Sequence, residues 1–469
     1  MLIEFSVGNY RSFNEIQTLD MRTAPLRERI PEGEQHTFQA GKYKLLRCSA
    51  VYGANASGKS NLVRALLFMR QFVLTSATKL QIGDATGVER FKLDTAARTR
   101  PAYFQIVFLL NGITYRYGFE LDEERVRAEW LYRTRQRESR LFVREEQEFD
   151  VSGTLKVRKG VPEMTRPNAL FLSVLAQFNN AEAASILGWF RKKLHGISGL
   201  NDKLYGGYTI RRIENDAVFR KRVRTLLRLA DIGINDIGVE SIPLSQVDMP
   251  SEMRDILQNL VEVANKEVEK HPQEHLLTAP QDLFQTTPKD TFFKSVTTRH
   301  SVFDGKSTQP IEEDETFNLE EHESDGTQKF FYLLGPWLDS LDEGNVLFVD
   351  EMDARLHPLL TRELVRMFLS PQSNPHNAQL IFTTHDAGLL GERILRRDEV
   401  WFTEKNRFGA TELYSLADMR ERNDASFYKN YLLGLYGAVP HLGGLRPFVE
   451  QEMQDAQNAE TERAQETTR

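Results

Sequence analysis

The chain has 469 residues, a formal net charge of −7 and a pI near 5.9. That length allows two or more domains, and the acidic balance excludes a surface that is basic throughout, so any nucleic-acid contact must use a local patch. The one cysteine, Cys48, excludes a disulfide framework and a cysteine zinc cluster and fits a reducing cytoplasm, while no apolar run reaches a membrane span and the first residues do not read as a signal peptide.

Residues 2–7 alternate weakly and predict a strand. Asn9-Tyr10-Arg11-Ser12-Phe13 follows as a polar turn with two aromatics. It reads either as a plain hairpin turn or as a place where the Arg11 guanidinium clamps phosphate oxygens. Residues 23–45 predict a loop or irregular hairpin. Residues 48–52 then predict a strand and 61–69 a helix, continuing to about 75. Between them lies Gly53-Ala54-Asn55-Ala56-Ser57-Gly58-Lys59-Ser60, which fits G-x-x-x-x-G-K-[ST] at every fixed position. Its glycines let backbone N–H groups turn inward around phosphate oxygens, and the helix N-terminus adds its positive dipole end. Lys59 reaches β- and γ-phosphates and Ser60 ligates Mg²⁺ in such a loop. The predicted ATP-binding set is therefore Gly53, Asn55, Gly58, Lys59, Ser60 and Asn61, with Arg11 and Gln177 as further candidates.

Residues 103–110 and 113–121 predict an antiparallel hairpin around Asn111-Gly112, with further short strands near 126–134, 139–144 and 154–158. The segment 169–180 is apolar and then abruptly polar, ending near Gln177, which is either the close of a buried segment or a loop residue sensing Mg²⁺ or an attacking water. From 181 to about 300 the pattern turns helical, with helices predicted over 182–193, 215–229 and 251–270, the last capped by Ser251. Arg211, Arg212, Arg220, Lys221, Arg222, Arg224 and Arg228 crowd into this region. They form either a solvated helix face or a strip for a polyanion or an acidic partner. Residues 271–310 read as loop, and 312–323 as an acidic stretch with a short strand at Phe317 and Leu319.

Ser324 and Gly326 open an apolar helix predicted over 330–341. Val346-Leu347-Phe348-Val349 then runs straight into Asp350-Glu351, as a strand buried on both faces of a parallel sheet would. Such strands deliver their carboxyl ends to the ligand edge. One carboxylate can serve Mg²⁺ and the other can orient and deprotonate a water. A second buried strand, 379–384, ends in His385. Beside a γ-phosphate, His385 would be a hydrogen-bond donor reporting the nucleotide state. After it, 401–405 and 413–416 are taken up by further structure, 426–435 predicts a helix, and 450–469 is poor in apolar residues and predicts disorder. No apolar strand ending in a carboxylate pair remains for a second metal site, and His195, His271, His275 and His300 share no ligand spacing, so no nuclease is expected in this chain.

The order of these motifs resembles the ATP-binding-cassette ATPases of the RecF, Rad50 and SMC kind. More narrowly it resembles the AAA15 family of bacterial ATPases related to RloA and AbiLi, through residues 323–328, 350–358, 401–405 and 436–440. The resemblance implies an α/β fold: an ABC-type P-loop ATPase head with an antiparallel β lobe and a helical insertion. The implied domains are 1–180, 181–310 and 311–445, with a tail at 446–469. It implies that Asp350 organises Mg²⁺, that Glu351 is the general base, and that Gln177 and His385 sense the γ-phosphate of ATP. Ser324 and Gly326 would contact ATP held by a second subunit, with Asp353 across the same interface, giving a homodimer or higher homo-oligomer. The usual signature Leu-Ser-Gly-Gly-Gln is replaced by Glu323-Ser324-Asp325-Gly326-Thr327-Gln328, whose extra negative charge implies slow turnover. Relatives of this kind act in anti-phage defence by abortive infection, beside a separately encoded effector. The alternative is a RecF-like repair ATPase whose basic strip, Arg220, Lys221, Arg224 and Arg228, meets DNA or RNA.

Overall fold

Val346, Leu347, Phe348 and Val349 are at most 1% exposed, as a strand covered on both faces requires. The computed structural model describes residues 1–440 apart from 27, 29, 201–204, 231–232, 247–249, 251, 253–283, 287–290, 306–309, 312–313, 392, 420 and 422–424. In it Val346–Asp350 is the second strand of a six-stranded sheet, ordered Leu194–Ser198, Val346–Asp350, Gln379–Thr383, Cys48–Gly53, Val400–Lys405, Thr411–Ser415. The first five strands run parallel, and only the last turns back. The carboxyl ends of the acidic strand, the His385 strand and the phosphate-loop strand are thus neighbours at one edge, where parallel sheets bind ligands.

The helix Lys59–Lys79 packs between this sheet and a second, seven-stranded antiparallel sheet. Its Leu62, Leu66, Met69 and Phe72 share one core with Val51 and Phe348 of the first sheet and Phe104 and Phe119 of the second. The second sheet is ordered Glu148–Val151, Glu138–Glu145, Val126–Thr134, Ile113–Leu121, Ala102–Leu110, Leu2–Gly8, Gln17–Asp20. Asn111 and Gly112 both take positive φ, 51° and 75°, as a two-residue hairpin requires. Residues 154–158 are not the strand the sequence predicts. The chain turns earlier, where Leu155 N donates to Ser152 O at 3.0 Å, and Glu148–Val151 is the last strand.

Residues 181–300 are mixed rather than helical throughout. The helices Ala181–Lys192, Gly206–Asn215 and Ala217–Leu229 are present. Asp216 breaks the last two apart, because its carboxylate accepts from the amides of Val218 and Phe219 and caps a new helix. Leu194–Ser198, however, is a strand of the main sheet. Ile234–Pro243, Phe284–Thr286, Thr291–Ser301 and Asp314–Asn318 form an antiparallel sheet of their own. The predicted helix at 251–270 with its Ser251 cap, apart from Glu252, and His271, His275 and the tail beyond 440 lie outside the described residues. A second core joins the helix Asp325–Glu343, through Phe331, Leu334 and Trp337, to Leu347, Val349 and Phe382 of the main sheet. No helix among the described residues is long and apolar enough to cross a membrane.

Candidate functional site

The phosphate-loop sequence leaves Cys48–Gly53 and enters the helix Lys59–Lys79 through Gly58, which has φ 117°. No other residue fits there, since a Cβ on Gly58 would lie 2.2 Å from Thr411 Oγ1. Thr411 and Thr403, on the hairpin Val400–Lys405/Thr411–Ser415, hold the loop from behind. Thr411 Oγ1 donates to Ser57 O at 2.7 Å, and Ser57 Oγ and Thr403 Oγ1 are 2.7 Å apart. Lys59 is 5% exposed, and its Nζ donates to the carbonyls of Gly53 at 2.8 Å and Ala54 at 3.2 Å. Burial lowers its pKa to about 8, against the opposing pull of Glu351, Asp350 and Asp353. Asn55, Ser57, Gly58, Lys59, Ser60, Asn61, Arg64, Glu351 and His385 line one cleft of about 590 Å³.

The acidic residues are set by the neighbouring strand. Thr383 Oγ1 donates to Asp350 Oδ1 at 2.8 Å and accepts from Glu351 N at 2.7 Å, while Thr383 O accepts from Met352 N at 3.1 Å. Glu351 itself is held at φ 52°, a left-handed conformation that side-chain-bearing residues avoid. The Asp353 carboxylate accepts from His385 N at 3.2 and 3.3 Å. Burial, and then the Lys59 charge, lower the pKa of the His385 imidazole against the opposing pull of Asp353, Glu351 and Asp350, which favours its neutral form. Gly199, just past Leu194–Ser198, donates from its N to Asp350 O at 2.6 Å, so that strand end borders the acidic turn.

Two sequence expectations, those for Gln177 and Arg11, are not met at this cleft. Gln177 closes the helix Phe171–Gln177 rather than lying in a loop, and its Nε2 donates to Ala77 O at 3.3 Å. Ala77 is near the far end of the helix that Lys59 opens, about 27 Å along its axis at 1.5 Å per residue. Gln177 therefore reaches neither the metal ligands nor the cleft. The apolar run 169–175 is buried core and continues as a helix, which carries Gln177 away. Arg11 is ion-paired with Glu89 and does not line the cleft. Its neighbour Ser12 makes the contact instead: Ser12 Oγ accepts from Asn61 Nδ2 at 2.8 Å and Ser12 O from Thr411 N at 2.7 Å. The basic strip is divided. Arg212 pairs with Asp339, Arg222 with Asp342 and Arg224 with Asp236, whereas Arg220, Lys221 and Arg228 are exposed.

Ser324 caps the helix Asp325–Glu343 by accepting from Thr327 N at 3.2 Å. Gly326 packs on the acidic turn, where a Cβ would lie 2.9 Å from Arg355 O. Neither lines the cleft of its own chain. Glu323 turns away from this helix start, accepting from Thr298 Oγ1 at 2.6 Å and His300 Nε2 at 2.7 Å, so its charge is engaged elsewhere. Sequence reasoning missed Arg64, Thr383, Thr403, Thr411 and Lys329. Of these only Arg64 had a signal, its place one helical turn beyond Ser60.

A phosphate loop, two acidic residues at a strand end and a histidine at the next strand end, all on one edge of a parallel sheet, define a P-loop nucleotide-binding domain. The family model described as "AAA domain, putative AbiEii toxin, Type IV TA system" matches residues 48–391, and the chain belongs to this family of AAA ATPase domains. No curated protein matches it. Among solved structures it is similar to the SMC head domain from Thermotoga maritima, at 13% identity and TM-score 0.36, over 88% of this chain and 98% of that one. It is similar to an SMC head bound to the C-winged helix domain of ScpA at 11% identity and TM-score 0.41, over 88% and 97%. A third is the Smc head domain with an extended coiled coil bound to the C-terminal domain of ScpA derived from Pyrococcus furiosus, at 13% identity and TM-score 0.30, over 93% and 98%.

Proposed function

We propose that the chain binds ATP with Mg²⁺ in the cleft between Lys59 and Glu351 and hydrolyses it, and that ATP joins two copies of the chain. The observation that carries this reading is the convergence of Lys59, Ser60, Glu351 and His385 on one cleft. Lys59 and the amides of the loop through Gly58 bind the phosphates. Hard oxygen donors suit Mg²⁺, and the Ser60 hydroxyl and the Asp350 carboxylate, fixed on one oxygen by Thr383, are the residues that would hold it. Bound there, the metal supplies charge neutralisation on the phosphate oxygens. Glu351 takes the proton of the attacking water, and neutral His385 donates a hydrogen bond toward the γ-phosphate. Ser324 and Gly326, outside their own cleft, serve the ATP of the partner copy, with Asp353 at the same junction.

The description of the family, a putative toxin of a type IV toxin–antitoxin system, supports a reading in which the chain works with a separately encoded effector. ATP-driven pairing would then control such an effector in anti-phage defence by abortive infection, in a cytoplasm that keeps the lone thiol of Cys48 reduced. Nucleic-acid cleavage, where it occurs, would come from the partner. A second reading, an ATPase acting on DNA in the manner of RecF, is favoured by one observation, the exposed Arg220, Lys221 and Arg228 on a single helix. Replacing Glu351 with Gln tests the main reading. ATP binding should persist, turnover should stop and the ATP-bound dimer should accumulate in sedimentation. Wild-type turnover by Glu351→Gln would remove Glu351 from the chemistry.

A further inference from the structure

The helix that starts at the Ser324 cap carries a lysine that is 0% exposed, Lys329. Lysines are almost never fully buried unless paired, and here backbone carbonyls receive the ammonium. Nζ donates to Met352 O at 3.0 Å, to Glu351 O at 3.4 Å and to Ala354 O. Three carbonyls of the turn that carries Glu351 and Asp353 thus converge on one ammonium.

That turn needs holding. Glu351 and Arg355 take φ 52° and 62°, values that persist only where the surroundings over-determine them. Thr383 grips the turn from the sheet side. On the other side space is closed: a Cβ on Gly199 would lie 2.1 Å from Glu351 O and 2.9 Å from Lys329 Nζ. A Cβ on Gly326, in the first turn of the Lys329 helix, would lie 2.9 Å from Arg355 O. Helix start, acidic turn and Gly199 are therefore in close contact. None can shift without moving another, because close-packed interiors are bistable rather than continuously deformable.

We propose that Lys329 is the positioning residue for Glu351: its ammonium ties the backbone of the general base to the helix that begins at Ser324. Engagement of that helix start by a second copy's nucleotide is then read out as a shift of the Glu351 backbone. Lys329 touches no substrate and transfers no proton. The proposal rests on the reading of Glu351 as the hydrolytic base.

The test pairs steady-state ATP turnover with the equilibrium Kd for mant-ATP, on full-length protein checked for folding by circular dichroism. Lys329→Met keeps the buried stem and removes the donors. Since a 1 Å misplacement near the chemistry can lower a rate on the order of 100-fold, kcat should fall about tenfold or more while Kd stays within roughly threefold. Lys329→Arg, which keeps charge and donors, should recover part of that kcat. A folded Lys329→Met with wild-type kcat overturns the proposal, and so does a parallel loss of kcat and affinity that tracks the folded fraction. Should Lys329→Met fail to fold, Gly199→Ala decides, because its methyl group presses on Glu351 O. The same split between kcat and Kd is expected, and wild-type kcat in that variant is fatal. Glu351→Gln is run alongside. If it turns over ATP normally, the reading of Glu351 fails; if it is inactive while Lys329→Met is fully active, only the coupling fails.

Discussion

At the scale of single residues, Lys59 carries a pH dependence whose sign can be worked out. Burial lowers its pKa from the ordinary 10.5 to about 8. A polyphosphate favours the charged ammonium, so nucleotide affinity should be full below that value. It should decline as pH rises through it, by up to about tenfold per pH unit. Stability moves the other way. Keeping the ammonium buried disfavours the folded state, and that penalty is fully present below about 8 and fades as pH rises toward 10.5. Titration of the mant-ATP Kd from neutral to alkaline pH checks the first statement. Lys59→Arg, which cannot be deprotonated, should flatten the profile, and an equal slope in that variant would assign the dependence to another group. Lys59, Ser60, Asp350, Glu351 and His385 were all legible in the sequence, because each sits at a fixed offset from a strand end or inside a spaced motif. Thr383, Thr411 and Lys329 were not. They act across tens to hundreds of positions through hydroxyl and ammonium hydrogen bonds, and nothing in a local window marks a threonine or lysine for that use.

At the scale of elements, the long apolar runs declared themselves and the boundaries between element types did not. Val346–Asp350 and Gln379–Thr383 are buried on both faces and read as strands at once. Leu194–Ser198 is also a parallel strand of the same sheet, but it follows the helix Ala181–Lys192 with only Lys193 between them. Its five residues Leu-His-Gly-Ile-Ser are too short and mixed to announce a change of period. Gln177 failed for the related reason that an apolar segment of this length fits a helix as well as a strand. The helix Asp325–Glu343 yields a prediction of its own. Its start lies outside the lining of its own chain's cleft, so Ser324→Arg should leave mant-ATP binding intact while blocking ATP-driven association in sedimentation velocity. Full ATPase activity from a strictly monomeric Ser324→Arg variant would show that one chain suffices.

At the scale of the whole molecule, the chain is acidic overall, and one helix carries a local group of exposed cations. Arg220, Lys221 and Arg228 stand exposed on Ala217–Leu229, whereas Arg212, Arg222 and Arg224 are neutralised by aspartates. If this face meets duplex DNA, each phosphate it neutralises adds about −0.9 to the slope of log K against log salt. Changing Arg220, Lys221 and Arg228 together to Ala should then flatten that slope measurably in fluorescence anisotropy. An unchanged slope would make the face an ordinary solvated one. The main sheet has a further consequence, for the order in which the molecule can be made. Cys48–Gly53, which carries the phosphate loop, is flanked by Gln379–Thr383 on one side and Val400–Lys405 on the other. A ribosome that has released residue 60 has therefore delivered a complete phosphate-loop motif with neither neighbouring strand yet synthesised. The strand's edges stay open until most of the chain has emerged, a long interval in which an unpaired apolar strand invites mispairing. Competence to bind nucleotide thus arrives late, with the hairpin that braces Ser57 and Gly58.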